Sequence, residues 1–357
     1  MSSTNPIQAV LSPQAIAVCR RLHEYQFQAY IVGGAVRDAL LQRPLGDIDI
    51  ATNATPAEVE TIFEQVIPTG KAFGTMTVVV KAGDQSQQYQ VTTFRTEQGY
   101  SDGRHPDQVM FSQSIHDDLV RRDFTINALA WDPINKTLID DVNGRYDLQH
   151  KQLRTVGDPS LRFQEDTLRL FRLCRFQAQL GFEIESKTGT AGQQLSPTVT
   201  LPSAERIYEE LWKGLDAPYS WAGLETARSF GLLQRVFPAI KVSPYPAEWP
   251  DWIVEQRLAY LLQSSDDYQA QLKAARFPNA VISMVKSLIE NQLNLEHAQF
   301  KVADLDISGD DLSAYGLEGR LIRTTLEEIR ELVLSKALEN TKAVIIDWLD
   351  RRGKIGN

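Results

Sequence analysis

Between residues 29 and 51 the chain changes pattern so abruptly that few folds can hold it. Ala29–Val32 is a short apolar run suited to a buried strand, and it stops at Gly33-Gly34. A helical stretch starts near Ala35 and breaks at Pro44–Gly46. Asp47-Ile48-Asp49-Ile50 then alternates acidic and apolar residues through Ala51, the period-two pattern of a strand. On such a strand Asp47 and Asp49 share one face while Ile48 and Ile50 point into the core. Strand, glycine turn, helix and strand in so short a span imply a mixed α/β layer that carries two carboxylates.

The surrounding sequence agrees. Ser12 and Pro13 can open a helix through Ile16, Cys19 and Leu22, and Thr55-Pro56 another through Val59 and Phe63. Thr75–Val80 and Tyr89–Phe94 read as neighbouring strands. Beyond about residue 155 the period becomes helical. Asp158-Pro159 is a helix start, and apolar residues recur through Leu168, Phe171, Leu173 and Phe176. Glu183–Pro202, rich in Ser, Thr, Gly and Gln, is expected as a loop. Ser203 can cap a helix over Ala204–Leu215, and Leu321–Leu338 and Lys342–Arg352 also read as helices. A chain of 357 residues exceeds one ordinary core. The expected division is an α/β head (1–150), a helical neck (151–220) and a helical body and tail (221–357).

Composition narrows the class. With 43% hydrophobic and 23% charged residues the chain reads as globular, and no apolar run reaches bilayer length. MSSTNPIQAV lacks the basic and apolar regions of a secretory signal. Cys19 and Cys174 lie in helical patterns and read as buried thiols in a reducing cytoplasm. A net charge of −9 argues against a protein that coats nucleic acid indiscriminately. Yet seven Lys/Arg against four Asp/Glu fall between Arg145 and Arg175, leaving room for a local basic surface.

Two adjacent carboxylates repel each other but become favourable around Mg²⁺, which takes hard oxygen ligands and shares them with substrate phosphates. A lone D-x-D is more often a solvated strand edge, and a lone Gly-Gly an ordinary tight turn. Together, and in this order, they point to a phosphate site. Gly33 and Gly34 let the backbone approach an anion, the following helix N-terminus supplies free N–H groups, and Arg37 lies one turn in.

On these residues the chain resembles the polymerase-β-like nucleotidyltransferases. The branch is that of class II tRNA nucleotidyltransferases, which contains CCA-adding enzymes and bacterial poly(A) polymerases. The resemblance runs through VGGAVRD, GDIDIAT, TGKAFGTMTV, YQVTTFRTE, DGRHP, DLVRRDFTINALAWD, DPSLRFQEDTLRLFRLCRF and SAERIYEEL, and returns weakly at ISGDDLSAYGLEG. It implies a polymerase-β-like head, with Asp47 and Asp49 binding two Mg²⁺ ions. The place where a third carboxylate often stands holds Gln90. Arg122 would contact the nucleotide, while Asp123 and Asn127 would orient its sugar side. Gly99–Pro106, with Asp102 and Arg104, would be a mobile loop near the site.

Asp166, Arg169, Arg172 and Arg175 recur every third residue, a line that winds slowly across a helix because each step falls about 60° short of a full turn. As plain structure this is a charged stripe with an Asp166–Arg169 pair. A base-reading role explains more. A carboxylate accepts from the exocyclic amine that cytosine and adenine share, and an arginine donates to the ring acceptor beside it. Uracil and guanine would present an oxygen to the carboxylate and leave buried polar groups unpaired. The resemblance assigns this choice to Asp166 and Arg169 and the triphosphate to Arg172 and Arg175. Glu205-Arg206 would brace the base-reading helix. His116-Asp117 lacks the further ligands a metal phosphohydrolase needs and reads as the approach to Arg121.

The implied reaction is template-independent addition of CCA to the tRNA 3′ end from CTP and ATP. A-only addition comes second, then CC-only addition and poly(A) synthesis, and last a non-catalytic tRNA-binding homologue. KAFGTMTV lacks the R-R-F stretch of poly(A) polymerases, and TEQGYSDGRHPDQ is longer than CC-only enzymes keep. The helical body would bind the tRNA elbow and acceptor stem by shape and backbone charge. No protein partner is legible.

Overall fold

The computed structural model describes residues 6–82, 85–98, 108–241 and 244–353. The chain divides into two compact units, Met1–Pro238 and Ala239–Asn357. The head and neck stretches expected from the sequence both fall in the first unit. The residues 99–106 expected as a mobile loop lie outside the described residues.

Helices α1 (Pro6–Val10) and α2 (Pro13–Glu24) open the first unit. Ser12 caps α2, its Oγ accepting the Ala15 N–H at 3.1 Å. Strand β1 (Ala29–Val32) follows, then α3 (Gly34–Leu40) and β2 (Asp49–Thr52). Next is α4 (Pro56–Ile62), held by a reciprocal cap between Thr55 and Glu58. The next strands are β3 (Val66–Gly70), β4 (Thr75–Ala82) and β5 (Gln85–Thr93), then the hairpin β6 (Arg95–Gln98) and β7 (Gln108–Phe111). Helix α5 (Ile115–Val120), strands β8 (Ala130–Asp132) and β9 (Thr137–Ile139), and α6 (Gly144–Gln149) complete the α/β part.

Seven of these strands form one sheet in the order β3-β4-β5-β2-β1-β8-β9. Only the β2–β5 pair is parallel, so the sheet is mixed as expected. Val32, Ala51, Phe94, Leu119, Ala128 and Ala130 cluster beneath it. Ile50 is fully buried and Ile48 half-buried. The register sets Val32 opposite Asp49 on one side and Gln90 beside Asp49 on the other. The start of the glycine turn, Asp49 and Gln90 therefore meet across three neighbouring interior strands of the sheet.

The helical part corrects two expectations. Residues 159–180 are not one helix but two, α7 (Pro159–Glu165) and α8 (Leu168–Leu180), with Asp166 in extended conformation between them. Asp166 has left the helix to cap its successor: its Oδ1 accepts the Leu168 N–H at 3.1 Å. Glu183–Pro202 is not a loop, because α9 (Ser186–Leu195) occupies it, opened by Glu185 accepting the Thr188 N–H at 2.8 Å. Its low-propensity residues are there for packing. A Cβ on Gly192 would stand 2.6 Å from the Phe230 ring, so only glycine lets the helix lie this close. Helix α10 (Ala204–Leu215) has the expected bounds and packs with α11 (Ser220–Ser229) against α8.

Regular structure in the described part of the second unit is helical, including Val254–Leu262, Asn279–Glu290, Arg320–Leu334 and Lys342–Gly353. Leu312, Ile329 and Ile345 are fully buried in one of its clusters. No helix among the described residues is long and apolar enough to cross a membrane. Cys19 and Cys174 are free and buried, and burial pushes the Cys174 thiol up to about 12, so neither is poised as a thiolate ligand.

Candidate active site

All twelve residues singled out in the sequence line one cleft of about 770 Å³. Its walls come from the β1–α3 turn, the start of β2, the segment Arg121–Asn127 and the side of α8 that carries Arg169, Arg172 and Arg175.

Asp47 and Asp49 form its acidic side. The strand starts at Asp49, one acidic residue later than the alternation suggested, leaving Asp47 exposed and Asp49 half-buried. Burial pushes the Asp49 carboxyl up, Arg122 draws it down, and Asp47 pushes it up again. Among the described residues neither carboxylate accepts a hydrogen bond or joins an ion pair. Two unclaimed hard-oxygen donors on one face fit a divalent cation. Among the described residues no set of three His, Cys, Asp or Glu side chains converges, consistent with Gln90 standing beside Asp49.

Gly33 has φ +72°, and a Cβ there would stand 2.8 Å from Arg122 Nη1. Glycine thus both makes the turn and lets the arginine lie over it. Because α3 is only seven residues long, the arginines outweigh its dipole in making this end positive. Arg37 grips both oxygens of Asp38, at 2.9 and 2.8 Å, and donates to Asn127 Oδ1 at 2.7 Å.

Arg121 and Arg122 are held by a residue the sequence reading missed. Asp118, 1% exposed, accepts from Arg121 on Oδ1 (2.6 and 3.1 Å) and from Arg122 on Oδ2 (3.0 and 3.3 Å). The signal was available, since Asp118 precedes the two arginines by three and four residues. His116 is exposed and stands 3.1 Å from Asp141.

Asp123 is the hub between the sheet and α8. Its Oδ1 accepts from the Phe124 N–H at 2.7 Å and Asn127 at 3.1 Å, and its Oδ2 from Arg172 Nε at 2.7 Å. Burial alone would raise its carboxyl. The Arg172 charge and these hydrogen bonds outweigh it and hold the group at about 2. A depressed carboxylate stabilises the fold above its unfolded value near 4 and loses that contribution as pH falls through about 2. We therefore expect acid to remove on the order of 2 kcal/mol through Asp123 between about pH 4 and pH 2. In Asp123→Asn that increment should be missing from the pH dependence of unfolding free energy; an unchanged profile would contradict the assignment.

Asp166, just before α8, and Arg169, in its first turn, do not pair with each other. Asp166 Oδ2 accepts from Arg206 of α10 at 2.9 Å, so Arg206 braces the carboxylate as well as the helix. Arg169 donates to Glu165 at 2.6 Å, Arg162 O at 2.9 Å and Arg121 O at 3.1 Å. Two of its five N–H groups stay available. Arg172 pairs with Asp123 and stands 3.6 Å from Glu210, while Arg175 pairs with Glu210 and with Gln179 at 2.8 Å. Glu210, Gln179, Phe176 and Lys213 were not singled out from the sequence. Glu210 and Lys213 share a face of α10 with Arg206 at spacings of four and seven, the pattern that could have found them.

Residues 29–154 match the family described as "Poly A polymerase head domain", and residues 181–243 that described as "Probable RNA and SrmB- binding site of polymerase A". A CCA-adding enzyme of Bacillus pumilus is 34% identical over 94% of this chain and 96% of its own length. This chain belongs to the CCA-adding enzyme family. A CCA-adding enzyme of Staphylococcus epidermidis is 32% identical over 96% of this chain and 98% of its own. Among solved structures, the Bacillus stearothermophilus CCA-adding enzyme in complex with CTP is similar with a TM-score of 0.76 at 29% identity. It covers 97% of this chain and 99% of its own. CCA-adding enzymes are nucleotidyltransferases that work with a divalent metal.

Proposed function

We propose that this chain adds CCA to the 3′ end of tRNA from CTP and ATP, without a template and with release of pyrophosphate. The observation that carries the reading is the cleft itself. The Asp47–Asp49 carboxylate pair, a bank of arginines and the braced Asp166 carboxylate just before α8 line the same space.

In this reading Asp47 and Asp49 hold two Mg²⁺ ions. Bound there, the ions would favour the ionised RNA 3′-hydroxyl and steady the leaving pyrophosphate. Gly33, Gly34 and Arg37 shape the phosphate end, and Arg122, Arg172 and Arg175 hold the triphosphate. Asp123 and Asn127, already paired to Arg172 and Arg37, form the wall on the sugar side. Asp166 accepts from the amine of cytosine or adenine, and the two remaining N–H groups of Arg169 face the ring acceptor.

The proposed division of labour is a catalytic head (1–150), a nucleotide-selecting neck (151–220) and a body and tail that bind tRNA (221–357). Two free, buried cysteines suit a cytoplasmic setting. If the body grips the RNA backbone, tRNA affinity should fall steadily with added salt. A dissociation constant that stays flat between 50 and 200 mM salt (the range over which about six phosphate contacts lose a thousandfold) would contradict that role.

The reaction is tested with three tRNA transcripts ending before CCA, after the first C and after CC. Each is given CTP, ATP or both with Mg²⁺, and products are sized at single-nucleotide resolution. All three should reach a complete CCA end and stop. Extension of only the CC-ending transcript by one A would make this an A-adding enzyme, and no extension would make it a non-catalytic tRNA binder.

A further inference from the structure

We infer that Phe176 is a positioning residue for nucleotide binding, its ring ordering three arginines of the cleft into one anion-binding surface. The inference deepens the proposed function and rests on it, since it concerns how the same cleft holds a nucleoside triphosphate.

Arg37 comes from α3, whereas Arg172 and Arg175 come from α8. Their guanidinium carbons nevertheless stand 5.2, 5.3 and 4.0 Å from the centroid of the single Phe176 ring. Three like charges around one point repel, and something must hold them together before an anion arrives. Carboxylates do part of this: Asp38 takes the edge of Arg37, Asp123 that of Arg172, and Glu210 that of Arg175. These contacts hold the guanidinium edges, as in the two-bond grip of Asp38 on Arg37, and leave the faces open to a further contact. The negative face of an aromatic ring supplies that contact by attracting the cation to the π cloud.

The ring itself cannot swing. Phe176 is 3% exposed and meets Phe124 edge-on, with centroids 5.6 Å apart and planes at 81°. It nevertheless lines the cleft, so the arginines it gathers are presented to the space a triphosphate would occupy. A ring that only filled the gap between α8 and the sheet would serve equally well whatever its electron density.

That difference sets the experiment. The full-length chain is made with mono-, tri- and pentafluorophenylalanine at position 176, which drains the π face while keeping the ring's shape and apolar character. CTP affinity is measured by equilibrium binding, kcat and KM by addition to a tRNA transcript, and folding by thermal unfolding. The Kd and KM for CTP should rise stepwise with fluorination, to about tenfold for the pentafluoro ring, while kcat stays within about twofold. Phe176→Leu, which removes the π face altogether, should raise Kd and KM for CTP at least as far as the pentafluoro ring. A flat Kd across the folded fluorinated series, or a fall in kcat at constant KM, would overturn the inference. Failure of the unmodified protein to bind CTP would instead overturn the proposed function.

Discussion

Asp49→Asn should lower nucleotide addition at least about a thousandfold while leaving the protein folded. Removing one of two carboxylate ligands withdraws several kcal/mol of charge stabilisation from the reacting phosphate, and each 1.4 kcal/mol is a factor of ten in rate. Among the described residues the Asp49 carboxylate makes no hydrogen bond or ion pair, Arg122 acts on it through charge alone, and asparagine keeps its volume. Thermal unfolding should therefore be nearly unchanged, and nucleotide addition by purified Asp49→Asn is the measurement. Retention of more than about a tenth of the activity would remove Asp49 from the proposed metal site.

Asp166→Ala should turn a selective enzyme into one that no longer separates CTP and ATP from UTP and GTP, with discrimination falling about a hundredfold or more. The carboxylate is well placed for this choice. Leu168 N–H holds Oδ1 and Arg206 holds Oδ2, so it is fixed from α8 and α10 while the residue still lines the cleft. The alanine variant also loses the cap of α8, at a cost of about 1 kcal/mol. Asp166→Asn separates the two effects. Its amide oxygen can still cap α8, but its N–H₂ can donate to the oxygen that uracil and guanine carry. The asparagine variant should gain UTP and GTP incorporation while keeping the cap, and it gives up the acceptor that Asp166 Oδ2 offers Arg206. Single-nucleotide incorporation from each triphosphate reads both variants, and wild-type selectivity in both would end the base-reading role.

Much of the head was legible because its residues act locally. Ser12, Thr55 and Asp158 announce helices through short-range caps, and Asp47-Ile48-Asp49-Ile50 shows its sheet face by alternation alone. Asp47, Asp49, Gly33, Gly34 and Arg37 could be chosen from side-chain chemistry and spacing, and the Asp166–Arg169 pair from base-edge chemistry, whereas Arg122, Asp123, Asn127, Arg172 and Arg175 took their roles from the family resemblance. The break at Asp166 was hidden by an apolar period that runs on either side of it. Helix α9 was hidden because its glycines and threonines are tolerated only through packing, as Gly192 against Phe230 shows. Phe176 looked like any core phenylalanine, since the cations around it come from two distant stretches of chain. Asp118 and Glu210 left a fainter signal: they touch the arginines that face the cleft, and only their helical spacing, three and four residues for Asp118 and four from Arg206 for Glu210, marks such supporting partners.

The central claim is that one cleft holds the metal, the triphosphate and the base edge together. A crystal structure of this chain with CTP and Mg²⁺ tests it most directly. The account predicts metal density at Asp47 and Asp49, the triphosphate against Arg122, Arg172 and Arg175, and the cytosine amine within hydrogen-bond reach of Asp166. A cytosine turned away from Asp166, or CTP bound outside this cleft, would contradict it.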